Sequence, residues 1–256
     1  MKKLVAGIFV LAVVLVPFAA IAGTGYYNMA IMDTAQALKG GKFVFTAADD
    51  AGFWYSDFSK KWLMENEATG RLSYYIIEGL EAAASYNHAF YTHPSTPMTN
   101  AVGNGQLDMR YAFGLGDLVK LSLGLGLGVP IDKTNGAITF TNSAVFQFVP
   151  EACLSANFGG LNLHVQLKDR MLMSDPDMQN WVQIKGAIAF DFNGFLAAFT
   201  GGFDTFTGMP KASIIGGPEI IWNMGGPLQI NIGLFADTNY GAATAYRGVF
   251  RLSILP

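Results

Sequence analysis

From Leu161 to Lys168 the chain alternates strictly, with Leu161, Leu163, Val165 and Leu167 aliphatic and Asn162, His164, Gln166 and Lys168 polar. A period of two over this length predicts a β-strand with one apolar and one polar face. Val119 to Val129 repeats the pattern, its odd positions Val or Leu and its even ones Lys120, Ser122, Gly124, Gly126 and Gly128. Glycines along one face predict a wall against which a neighbour packs closely. Leu107, Met109, Tyr111 and Phe113 oppose Gln106, Asp108 and Arg110. Leu228, Ile230, Ile232 and Leu234 oppose Gln229, Asn231 and Gly233 in the same way. Looser alternation covers 42–50, 72–80, 82–93, 137–148, 151–158, 181–192, 195–205, 211–223 and 244–255.

Short connections separate many of these segments: Asn135-Gly136, Gly159-Gly160, Asn193-Gly194 and Gly225-Gly226-Pro227. Such pairs supply the positive φ that tight hairpins require. Gly114-Leu115-Gly116-Asp117 reads as one more hairpin, because no helix follows to make it a nucleotide loop. Longer loops are expected at 94–103, 169–180, 205–210 and 238–243. Residues 53–70, with Trp54, Tyr55, Trp62 and a charged stretch, read either as an exposed loop with a helical turn or as interfacial aromatics.

Tight turns at one end and longer loops at the other are the pattern of an up-and-down barrel in an outer membrane. Thirteen segments conflict with the even strand number of such barrels, and because Glu78-Gly79 is the poorest of the turns, 72–93 is read as one strand with a bulge. The expected fold is therefore all-β: a transmembrane antiparallel barrel of twelve strands, with fourteen as the alternative.

Composition sharpens this choice. The chain is 51% hydrophobic and 14% charged, against about 25% charged in ordinary soluble domains. The polar faces carry mostly Gly, Ser, Asn and Gln, too little charge for the outside of a soluble sandwich. The apolar faces then meet lipid. At the start, Lys2 and Lys3, an apolar stretch from Leu4 to Phe18 and Ala20-Ile21-Ala22 form a signal-peptide pattern. The domain reading is 1–22 signal peptide and 23–256 barrel. The rival is an uncleaved anchor. Loss of Lys2 and Lys3 takes the formal net charge from −3 to −5, which argues against nucleic acid as a partner. The expected partners are outer-membrane lipid, the outer-membrane assembly machinery and a small solute, and the protein is expected to be a monomer.

With the aliphatic faces outward, the lumen receives Asp108, Arg110, Lys120, Glu151, His164, Gln166, Lys168, Lys185, Asp191, Asp204, Glu219, Arg247 and Arg251, together with Gln229 and Asn231. Two readings stay open. The charges form an internal salt-bridge network that stiffens the barrel, or Lys120, Lys168, Lys185, Arg247 and Arg251 form a basic ladder that biases passage. Phe235 is the main aromatic expected inside, joined by Tyr75 if 72–80 is a strand of its own.

Catalysis has little support. Ser85 and His88 are close in sequence, but a spacing of three puts them on opposite faces of a strand. His93 falls in a loop. Nothing has a metal-ligand spacing, and no cofactor is expected. Cys153 can form no internal disulfide and reads as a small buried residue. The expected activity is a channel or transporter for small solutes, not an enzyme. A structural or adhesive barrel with a plugged lumen is the alternative, and a lipid-modifying enzyme a more distant one.

Two stretches carry a family resemblance. Thr34 to Phe45, Thr-Ala-Gln-Ala-Leu-Lys-Gly-Gly-Lys-Phe-Val-Phe, resembles the entry into the first strand of outer-membrane transporters related to the meta-pathway of phenol degradation. Arg110 to Leu118 is similar to the Gly-Leu-Gly-Asp hairpin of the same group. The resemblance implies a twelve-stranded barrel and uptake of small, often aromatic, molecules. The final strand, from Tyr246 to Ile254, resembles the terminal assembly signal of outer-membrane proteins, although the chain closes on Leu255-Pro256.

Overall fold

The computed structural model describes residues 29–255 except 37, 57–59, 94–95, 131–145, 174–177, 193, 224–226 and 239–243. Twelve strands alternate along the chain: β1 (Lys42–Ser56), β2 (Lys61–Ile77), β3 (Leu80–His93), β4 (Thr96–Gly114), β5 (Val119–Pro130), β6 (Phe146–Asn157), β7 (Leu161–Met173), β8 (Met178–Asp191), β9 (Phe195–Phe206), β10 (Ser213–Asn223), β11 (Leu228–Asp237) and β12 (Ala245–Ile254). Each pairs antiparallel with its sequence neighbours. Pairing of β12 with β1, from Phe45 against Ile254 to Trp54 against Ala245, closes the sheet into a barrel. Closure leaves no edge strand with unpaired amides.

Solvent exposure runs opposite to that of a soluble protein. On β10 and β11, Ile214 is 61% exposed and Leu234 65%, whereas Glu219 is 2% and Asn231 1% exposed. Leu123, Leu125, Leu163, Val165, Ile220 and Ile232 continue the exposed aliphatic band. Aromatic residues flank it. Phe43 stacks with Tyr74 at 4.5 Å near the end carrying the strand termini of β1 and β12. Tyr55 meets Trp62 at 5.8 Å near the other end. An apolar band between two aromatic girdles around a polar interior is what a bilayer-spanning barrel presents to lipid.

The end where β1 begins and β12 ends also carries the connections 78–79, 115–118, 158–160, 192–194 and 224–227. Among these, Gly79, Gly116, Gly159, Gly160 and Gly194 have positive φ. The Glu78-Gly79 pair is a true turn, with Gly79 at φ 84°, so 72–93 is two strands. A bulge lies one step away between Tyr75 and Ile77.

The thirteenth segment disappears elsewhere. Strand β6 runs unbroken from Phe146 to Asn157, so the described parts of 137–148 and 151–158 belong to one strand; residues 137–145 lie outside those described. Three expected loops are also corrected. Residues 53–70 are mostly strand, the end of β1 and the start of β2, paired from Phe53 with Met64 to Ser56 with Lys61. β3 and β4 leave only 94–95 between them, and β7 and β8 leave only 174–177. A strand needs about 9–11 tilted residues to span a bilayer. At 15, 17, 14 and 19 residues, β1 to β4 project beyond it.

Candidate functional site

Inward-facing positions follow from the alternation, and most polar groups there are paired. On β2 to β4, Arg71 binds Glu81 at 3.1 Å and Asp108 at 2.7 Å, and Arg110 binds Glu81 at 2.6 Å. Gln106 donates to Asp108 at 2.5 Å, and the Tyr75 hydroxyl donates to Glu81 at 3.4 Å. The glycine face of β5 is the floor beneath this cluster. A Cβ on Gly126 would collide with the Asp108 carboxylate, and one on Gly124 would lie 3.5 Å from Arg110 Cγ. The close neighbours predicted for this wall are thus Asp108 and Arg110.

Farther round the wall, Lys168 binds Glu151 at 3.0 Å. The Cys153 thiol, buried as expected, donates to Glu151 at 3.1 Å. Ser155 and His164 share a 2.7 Å hydrogen bond. Glu219 accepts from Asn231 at 2.9 Å and from the Thr200 hydroxyl. Near the loop end, Arg247 binds Asp50 at 3.1 Å and Asp237 at 3.5 Å, and Gln183 donates to Asp204 at 3.2 Å. Glu65 and Glu67 share the field of the same Arg247 guanidinium. Asp191 is buried at the turn end of β8, whereas Lys120 is exposed at the turn-end rim.

Residues 29–36 occupy the lumen. Ala30 donates its N–H to Glu219 Oε2 at 2.6 Å and accepts from Arg251 at 3.0 Å. Lys185 donates to the Ile31 carbonyl at 2.9 Å and Arg110 to that of Thr34 at 2.8 Å. Asp33 takes Lys168 at 3.4 Å and Gln166 at 3.3 Å. The Ala35 N–H donates to Ser155 Oγ at 2.9 Å. Met29 and Met32 pack into an apolar wall of Ala187, Ala189, Leu196, Ala198 and Ile221. Ala30 packs against Ile215, Phe235 and Val249. Beside Asp33, the cleft among Arg71, Asp108, Arg110, Glu151 and Lys168 has about 20 Å³, enough for one water.

This segment revises the expected picture. Residues 34–36 do not lead along the wall into the first strand; they lie inside it, and β1 starts at Lys42. The basic ladder is also broken up, because Lys168 and Arg247 are ion-paired and Lys185 and Arg251 hold backbone carbonyls. Arg71, Glu81, Asp33, Asp50, Glu65 and Glu67 escaped sequence reasoning. Alternation of Arg71, Ser73 and Tyr75 with Leu72, Tyr74 and Ile76 was the signal that could have found the first.

The fold is a closed antiparallel twelve-stranded barrel of the outer-membrane type. It is similar to the COG4313 outer membrane channel from Pseudomonas putida F1, with a TM-score of 0.64 and 13% identity over 87% of this chain and 98% of the other. It is similar also to the KdgM porin, with a TM-score of 0.54 and 9% identity over 80% of this chain and 97% of the other. No family model matches the sequence, and no curated protein does. At these identities the likeness is one of fold.

Proposed function

We propose that the protein is a monomeric outer-membrane channel of a diderm bacterium that passes small solutes. The observation that carries this reading is the inverted barrel, an apolar band outside and a continuous set of charged and amide side chains inside. A barrel with only a structural duty has no need for so many buried ionic groups, each costly to desolvate. Single-chain barrels of this kind have short turns on the periplasmic side, which places both described ends, Met29 and Leu255, at the periplasmic half. Cleavage after Ala22 and delivery through the outer-membrane assembly machinery complete the reading.

The resemblance to the phenol meta-pathway transporters extends the proposal to small hydrophobic or aromatic solutes. Support comes from Tyr75 and Phe235, which are both buried and inward. The inward Asp108, Arg110, Glu151, His164, Gln166, Lys168, Lys185, Asp204, Glu219, Arg247 and Arg251 then line the path, with Lys120 and Asp191 at its periplasmic mouth. Planar-bilayer recording of the purified, folded chain tests this: discrete conductance steps are expected. Silence in the bilayer together with no solute uptake by loaded liposomes would overturn it.

The lumenal segment favours one second reading, a plugged barrel whose loops meet an extracellular partner. It predicts that shortening the connections around 57–60 and 174–177 removes the phenotype while removal of 29–36 has no effect on solute passage.

A further inference from the structure

We infer that residues 29–33 occupy a solute site in the lumen, one built for a singly charged amphipathic carboxylate with a short apolar body. This inference rests on the channel reading and names its solute class. The first support is charge. Arg71, Arg110 and Lys168 line the cleft beside Asp33, with Asp108 and Glu151 among them. Asp33 is the anion that the segment itself brings to these cations, and Lys168 binds it at 3.4 Å. With the segment withdrawn, the Lys168 ammonium and the Gln166 amide lose this acceptor, and a small carboxylate can replace it.

The second support is the placement of donors. Lys168 Nζ and Gln166 Nε2 both meet the same oxygen, Asp33 Oδ2, at 3.4 and 3.3 Å. An ammonium and an amide N–H that converge on one oxygen mark where a carboxylate sits. The third is the apolar wall next to them. Gln166 pairs with Lys185 across β7 and β8, so Ala187, two residues along β8, is a diagonal neighbour of the carboxylate site. Ala187 belongs to the wall that holds Met29 and Met32. Met32 and Asp33 are consecutive, so one small molecule with a carboxylate and a few methylenes spans what these two side chains span. The segment is then a tethered occupant, and a solute enters by displacing it, with an apparent affinity lowered by the fraction of time the segment is seated.

The test follows the two methionines. The full chain is labelled with ¹³C-methyl methionine, the Met29 and Met32 signals are assigned through Met29→Leu and Met32→Leu, and the sample is titrated with hexanoate, hexanamide and hexylammonium. Hexanoate is expected to move both signals saturably from buried to solvent positions, with hexanamide and hexylammonium weaker by about tenfold or more. Asp33→Asn, which loosens the occupant without touching the barrel wall, is expected to strengthen hexanoate by about tenfold. Lys168→Gln in that background should remove most of the gain, and Lys168→Arg should restore it. Equal responses to hexanoate and hexanamide would overturn the carboxylate assignment. No response in either the unaltered chain or Asp33→Asn would overturn the site. Conductance of the same preparations in a planar bilayer stands apart from both results, and its loss would strike the channel reading instead.

Discussion

Gly126 shows how a single side chain is excluded by the lumen. Any Cβ there meets the Asp108 carboxylate, itself held by Arg71 at 2.7 Å and Gln106 at 2.5 Å. Gly126→Val must push Asp108 off Arg71 and leave a buried guanidinium short of a partner. A loss of about 1–3 kcal/mol is expected, the usual cost of overpacking, read as a fall in the urea midpoint for refolding into lipid. Glu219 offers a local readout of the lumenal segment, because its Oε2 accepts the Ala30 N–H at 2.6 Å. Glu219→Ala should speed hydrogen exchange at Ala30 by about tenfold while the β2–β3 amides stay protected. Unchanged exchange at Ala30 would remove Glu219 from the contacts that seat the segment. The inward positions of Asp108, Arg110, His164 and Lys168 were legible because each sits in a run with perfect alternation. Their partners were not: which carboxylate meets which cation depends on strand register, which sets Glu81 opposite Arg110 and Glu151 opposite Lys168.

The strands with one lipid-facing side are the ones the hydrophobic pattern located well. Val119 to Gly128 of β5 and Leu161 to Lys168 of β7 lie within the apolar band, so period two persists there and is lost at Asp169-Arg170. β1 and β2 project past it, and there the outer face carries Met64, Asn66 and Asp49 among Phe53, Tyr55 and Trp62. Without lipid on that side the alternation fades, which is why 53–70 resembles a loop in sequence. The lumenal segment was illegible for a different reason. Residues 29–36 form neither helix nor strand, and their hydrogen bonds go to side chains dispersed over β4, β6, β7, β8, β10 and β12. The lipid face of β5 supplies a check on the membrane assignment. Leu125→Arg is expected to cost about 2–4 kcal/mol of folding stability in lipid near the bilayer midplane, measured by denaturant titration in liposomes. A change near zero would place Leu125 outside the hydrocarbon.

At the scale of the whole barrel, function turns on the competition between the wall and the segment inside it. The wall alone is a polar conduit whose charges pair across neighbouring strands, so it keeps its shape without the segment. The segment contributes one carboxylate, two methionines and five backbone groups, and leaves beside Asp33 a cleft of about 20 Å³. On the channel reading, a solute larger than water needs residues 29–36 to give way there. Single-channel recording of the full chain beside a variant lacking residues 29–36 tests this most directly. The variant is expected to fold, as shown by heat-modifiable migration, and to conduct in larger and longer openings than the full chain. Equal conductance in the two proteins, or none in either, would contradict a solute channel held shut by its own lumenal segment.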